Sequence, residues 1–143
     1  GAPVGSLLAG SRPFIDAAVR VRKMLGGGMR QAGVLAAAGL IALEKHPAKL
    51  AEDHRNARLL AESLSRVSGL QVDLRRVQTN IVLVDVSGAS IAAAEFSKRL
   101  KAHGVLINPI NDRQLRIVTH SDARRSDCER ALEAITETAD ERR

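Results

Sequence analysis

Between Met29 and Lys45 the chain is apolar on nearly every side of a helix, through Val34, Leu35, Ala36, Ala37, Leu40, Ile41 and Leu43. Such a pattern predicts burial all round, and a small domain has little room for it, so further structure is expected to pack there. Ahead of it, Gly5–Gly10 is short, apolar and bounded by glycine, which predicts a buried strand. Pro13 after Ser11 suits the first turn of a helix that Ile15, Ala18, Val19 and Arg22 continue. Gly26–Gly28 should break it, because three glycines cost roughly 3 kcal/mol in a helix interior.

Pro47 opens the next helix, with Leu50, Ala57, Leu60, Ala61, Leu64 and Val67 on one stripe and Glu62 paired to Arg66 on the other side. Gly69 is expected to end it. Three runs rich in β-branched residues follow, Ile81–Val86, Val105–Ile107 and Leu115–Thr119, with Leu70–Leu74 as a weaker fourth. Ser90–His103 reads as a helix closed by Gly104. The last helix carries a capping-box pattern, Ser126 with Glu129, and a stripe of Cys128, Ala131, Leu132, Ile135 and Ala139. After residue 69 the order β-β-α-β-β-α predicts an α+β layer, with helices on one face of a small, largely antiparallel sheet.

Composition narrows the classes. Apolar residues make up 45% of the 143, which excludes disorder. Phe14 and Phe96 are the only aromatics, so a sheet that stacks RNA bases is excluded and the core must be aliphatic. The single cysteine, Cys128, permits no internal disulfide or cysteine-based zinc site and reads as a buried structural thiol. The longest apolar run, Ala32–Leu43, has 12 residues, too few to span a bilayer. No basic leader precedes the first apolar stretch, so a soluble, cytoplasmic protein is expected. The absence of an initiator Met, and first residues that read as the middle of a domain, suggest a piece of something larger.

The net charge of +6 invites a nucleic-acid reading, but its distribution does not support one. Six basic residues against two acidic fall in residues 1–45, around the glycine run, which suits a small anionic ligand better than a duplex. The remainder is an ordinary charged surface. That run, Gly26–Gly28, enters a helix but has neither the Walker A nor the GxGxxG spacing, and a hinge outweighs an anion cradle. Lys23 and Arg30 flank it, with surface charge as the default reading. Arg116 is more informative. It stands in mid-strand with Val118 on one face, while Leu115, Ile117 and Thr119 share the other. Arginine suits two-pronged carboxylate capture, and a solvent-facing arginine is an even competitor. His120 ends the same strand and reads as structural. His46, His54 and His103 form no triad or metal spacing.

Three stretches together resemble a known family. GAPVGSLLAGS (Gly1–Ser11), RKMLGGGMRQAGVLAAAG (Arg22–Gly39) and LRIVTH (Leu115–His120) are similar to the C-terminal part of low-specificity L-threonine aldolases. Thr79-Asn80 before the Ile81–Val86 strand fits as well. The resemblance implies a pyridoxal-phosphate lyase of the aspartate-aminotransferase-like fold type I. Residues 1–45 would be the end of the large cofactor-binding domain, with its last strand and interdomain helix, and residues 46–143 the small αβ domain. By position Arg116 resembles the arginine that holds the substrate α-carboxylate, and Lys23 and Arg30 resemble basic residues bordering the active site. The Schiff-base lysine of the family lies upstream of Gly1, as do its phosphate-binding loop and the aspartate that pairs with the pyridine nitrogen. No catalytic or metal-binding residue is therefore expected in this chain, and alone it should be inactive.

The implied whole is an aldehyde-lyase that cleaves L-threonine or L-allo-threonine to glycine and an aldehyde. It would serve glycine formation and threonine breakdown as a homo-oligomer, with the upstream half of the same protein as partner. A related β-eliminating lyase is one alternative. The other is a stand-alone basic module using Arg20, Arg22, Lys23 and Arg30 on an acidic partner. Neither nucleic acid nor membrane is expected as a partner.

Overall fold

Ala57, Leu60, Ala61 and Leu64 recur at helical spacing, and this stripe is the buried face of α3, Pro47–Leu64. The computed structural model describes residue 2 and residues 4–140, in two units, Gly1–Pro47 and Ala48–Arg143.

In the second unit, β1 (Ile81–Asp85), β2 (Asn108–Pro109) and β3 (Gln114–Val118) pair antiparallel in the order β1-β3-β2. Period-2 alternation buries Val82, Val84, Leu115 and Ile117 on one face. That face meets α3, α4 (Ala93–Ala102) and α5 (Arg125–Asp140), which add Leu60, Leu64, Phe96, Leu100 and Ile135 to a single core. The α+β layer expected from the sequence is thus the architecture of this unit.

Several boundaries move, each for a local reason. The Val105–Ile107 run is no strand. Gly104 takes φ +76°, and Val105 N–H donates to Leu100 O (3.0 Å), so the end of α4 occupies that backbone and pairing with β3 starts at Asn108. Of Leu70–Leu74, only Gln71 bridges to β1, at Asp85, and Leu74–Arg76 turns as a 3₁₀ segment. Left-handed Ser90 (φ +58°) delays α4 to Ala93. The α3 helix stops at Leu64, which leaves Arg66 beyond it, and Glu62 accepts instead from Arg58 Nε (2.6 Å). Ser126 does not cap α5. Asp127 takes the capping role with its carboxylate, accepting from Arg124 N–H (3.0 Å).

Gly69 takes φ +87° after α3, and its backbone lies against Gly88. A β-carbon on Gly88 would sit 2.8 Å from Gly69 Cα and 2.9 Å from its carbonyl oxygen, where only backbone could yield. Gly88→Ala should therefore destabilise the chain by about 1–3 kcal/mol, read as a shift in the urea midpoint at unchanged m-value. An unshifted midpoint would show that this contact opens freely.

The first unit holds α1 (Arg12–Met24) and α2 (Gly33–Lys45). The strand expected at Gly5–Gly10 does not form: residues 4–10 are irregular and exposed, Leu7 at 91%. A strand exists only within a ladder, and no strand pairs with it among the described residues. Left-handed Gln31 (φ +54°) starts α2 at Gly33 rather than Met29. Burial all round is not found either, since α2 has no buried residue and Val34 and Leu43 are 76% and 70% exposed. An apolar helix needs a surface to cover it, and its composition cannot provide one. Among the described residues, no helix is long and apolar enough to cross a membrane.

Candidate carboxylate site

The alternation that buries Leu115 and Ile117 turns Arg116 outward, onto the sheet face away from the helices. Leu83 lies directly opposite it on β1 and Asn108 directly opposite on β2. Ile81 and Val118 share this face, 43% and 41% exposed, so apolar side chains border the guanidinium. Arg116 has no hydrogen-bond or ion-pair partner among the described residues, and its donors are free for an incoming anion. Asp85, the acid of β1 on the same face, is engaged elsewhere: its Oδ1 accepts from Ser87 N–H (2.8 Å). Hydrogen bonding to the Ser87 side chain and then to its N–H holds the Asp85 carboxyl below the usual range, with Arg113 adding to the effect.

The strand is clamped just beyond Arg116. Thr119 N–H donates to Asn80 O (3.0 Å), and Asn80 Nδ2 donates back to Thr119 O (2.8 Å). The buried Thr119 hydroxyl donates to Asp53 O of α3 (2.7 Å), and Asn56 Nδ2 reaches Ala123 O (3.5 Å). These bonds tie the end of β3 to the start of β1 and to α3, so the backbone just beyond Arg116 is held in place. Sequence reasoning placed Thr119 on the same face as Leu115 and Ile117 without assigning it a partner. A buried hydroxyl requires one, and that requirement was the available signal.

Lys23 and Arg30 belong to the first unit and are exposed. Between them the glycines form a helix cap rather than a hinge or cradle. Gly26 N–H donates to Lys23 O (3.1 Å) and Gly27 N–H to Arg22 O (2.8 Å), the two bonds of a Schellman motif with Gly26 at φ +77°. Those two N–H groups are spent on α1 and cannot cradle an anion. A β-carbon on Gly27 would lie 2.7 Å from Arg22 Cγ, which accounts for a glycine there. Lys23 and Arg30 thus flank one tight turn, and Arg116 stands in the other unit.

A cleft of about 430 Å³ opens on the helix side of the second unit, with Leu60, Ile107, Ile117 and Cys128 as its floor and His103, His120 and Arg130 at its rim. Burial pushes the Cys128 thiol up, away from reactivity. His120 Nδ1 accepts from Asp122 N–H (3.3 Å), a local turn contact. Among the described residues, no group of three or more His, Cys, Asp or Glu could hold a metal.

The Asp127 carboxyl lies below its ordinary value of 3.8, because Arg124 N–H donates to it and the Arg130 guanidinium adds to the effect. A carboxyl depressed in the folded state adds stability above its unfolded pKa, lost as pH falls through the lower folded value. Asp127→Asn should accordingly flatten the acid limb of a stability-against-pH curve below about pH 4 and leave its slope near neutrality unchanged. An acid limb identical to that of the parent chain would remove Asp127 as the cap of α5.

The chain matches the family model for beta-eliminating lyases over residues 1–89. It is 45% identical over 128 residues to low-specificity L-threonine aldolase 1 of Arabidopsis thaliana, an alignment covering 89% of this chain and 36% of that protein. With the low specificity L-threonine aldolase of Escherichia coli (strain K12) the identity is 48% over 127 residues, covering 87% and 35%. The aspartate aminotransferase of Rhizobium meliloti shares the fold, with a TM-score of 0.61 at 18% identity over 92% of this chain and 36% of that one. The chain spans about a third of the length of these relatives.

Proposed function

Because this chain belongs to the beta-eliminating lyase family, we propose that it supplies the carboxylate-holding part of a longer pyridoxal-phosphate lyase that cleaves L-threonine or L-allo-threonine to glycine and an aldehyde. The observation that carries this reading is Arg116, which is unpaired, faces outward from a clamped strand and is bordered by apolar side chains. Its two parallel N–H donors match a carboxylate, and a substrate pinned there has one orientation about its Cα. By resemblance Lys23 and Arg30 would be basic residues bordering the active site of the longer protein, with residues 1–45 ending the large domain and residues 46–143 forming the small one. Similarity to the threonine aldolases over most of the chain supports it.

Pyridoxal phosphate would supply the electron sink for the glycine carbanion. The residues of this chain do not fit the cofactor's anchor. A lysine nucleophile is activated by desolvation or a neighbouring cation, and all five lysines, Lys23, Lys45, Lys49, Lys98 and Lys101, are exposed. The two glycine N–H groups of the α1 cap hold no phosphate. Cofactor binding then belongs to the remainder of the longer protein, and this chain contributes substrate capture. Subunits of a cytoplasmic homo-oligomer, together with that remainder, would cover the exposed Leu7, Met24, Leu25, Val34 and Leu43.

The full-length protein with pyridoxal phosphate should release glycine and acetaldehyde from L-threonine. The 143-residue chain alone should release neither, and borohydride should fix the cofactor to no single one of its lysines. Turnover by the chain alone, with one lysine labelled stoichiometrically, would refute this division of labour. The family's description favours a second reading, elimination of a β-substituent. From L-threonine, 2-oxobutanoate and ammonia in place of glycine and acetaldehyde would identify it.

A further inference from the structure

Asp53 opens the buried stripe of α3, in line with Asn56, Ala57, Leu60 and Leu64, and is only 7% exposed. Its main-chain carbonyl accepts from the Thr119 hydroxyl (2.7 Å), but its carboxylate has no hydrogen-bond or ion-pair partner among the described residues. A charge placed so deep is costly without a partner. Among the described residues no buried side-chain nitrogen or oxygen is both sealed from solvent and unbonded, so this carboxylate opens onto a cavity. That cavity, about 300 Å³, lies between α3 and the loop that follows β3. The helix contributes Lys49, Glu52 and Asp53 to its lining, and the loop contributes His120, Ser121 and Arg124.

The cations of this cavity are as unpaired as its buried acid. Lys49 stands one turn before Asp53 and makes no ion pair with it, since lysine ahead of an acid at i,i+4 is the weaker order. The Arg124 guanidinium has no partner among the described residues either. Its main-chain N–H alone is engaged, on the Asp127 carboxylate that caps α5 (3.0 Å). We propose that this cavity binds a small free α-amino acid, with the ammonium group on Asp53 and the carboxylate on Arg124 and Lys49. A metal cation or simple amine would answer Asp53 but sit against two positive charges. A simple anion would leave Asp53 unanswered. A molecule that carries both charges one carbon apart answers both at once, and its net charge of zero matches the two acids and two permanent cations of the lining. The volume suits a ligand of that size, at the small end of binding pockets. The cavity lies on the helix side of the sheet and Arg116 on the opposite face, so this site is separate from substrate capture and does not depend on that reading.

The test titrates the isotope-labelled 143-residue chain with glycine, the smallest α-amino acid, and follows the NMR amide signals of Asp53, Ser121 and Ala123. Their shifts should saturate, and should do so equally in the Arg116→Ala variant. Ethylammonium and acetate each carry one of the two charges and should bind at least about 10-fold more weakly. Asp53→Asn keeps the shape, removes the charge and should weaken glycine binding about 10-fold or more. Arg124→Gln, at an exposed position, should weaken it about 5-fold, and it carries the test if Asp53→Asn loses its folded spectrum. Ethylammonium or potassium ion binding as tightly as glycine would make this a cation site and overturn the proposal. So would an absence of saturation, or unchanged glycine binding in Arg124→Gln. Shifts that vanish in Arg116→Ala would belong to the carboxylate anchor and would overturn it equally.

Discussion

Arg116→Ala in the full-length protein is expected to lower kcat/KM for L-threonine by on the order of 2–4 kcal/mol, roughly 30- to 1000-fold, with pyridoxal phosphate still bound. The loss follows from what the substitution leaves behind. The substrate carboxylate would face Leu83, Ile81 and Val118, which offer it no donor. Arg116→Lys keeps the charge and loses the two-pronged geometry, so it should fall between the parent and the alanine variant. The strand itself should not suffer, because Arg116 is exposed and contributes nothing to the core. Cofactor absorbance and melting temperature should therefore stay at parental values while kcat/KM falls. A kcat/KM within a few-fold of the parent would make Arg116 an ordinary surface arginine.

The largest effect on stability is expected at the opposite face of the same sheet. Phe96 is completely buried in α4, the only aromatic side chain in a core otherwise built from Leu, Ile, Val and Ala with Cys128. Truncating it to Ala removes the transfer energy of a ring and leaves a cavity that short aliphatic neighbours cannot refill, a loss of about 3–5 kcal/mol. Marginal stability makes that a large share of the total for a unit of this size. Denaturant titration should show a much lower midpoint, or no folded baseline at all. Phe96→Leu, closer in volume, should recover most of the loss. A decrease below about 1 kcal/mol for Phe96→Ala would mean that the core closes around the gap.

Alternation at period 2 determines which side chains leave a strand together, and it needs no knowledge of partners. The sequence alone therefore put Leu115, Ile117 and Thr119 on one face of the strand and Arg116 and Val118 on the other, and the structure buries the first face and exposes the second. Helical spacing did the same for Ala57, Leu60, Ala61 and Leu64, and Gly104 marked the end of α4 through its freedom at positive φ. The motif pattern around Lys23, Arg30 and Arg116 also sufficed to identify the family, because short, ordered motifs survive as sequence.

Everything that depends on a distant partner was decided by the tertiary structure. Gly5–Gly10 has the composition of a strand but no ladder to join, and α2 is apolar without a surface over it. The Gly69–Gly88 contact, the Thr119 bond to Asp53 and the clamp by Asn80 each join residues that no local pattern links. The pairing of Asn108 with Arg116 is of the same kind. A register is set by how two strands meet around a shared core, and the energy that selects it comes from Leu115 and Ile117 on the other face of the sheet.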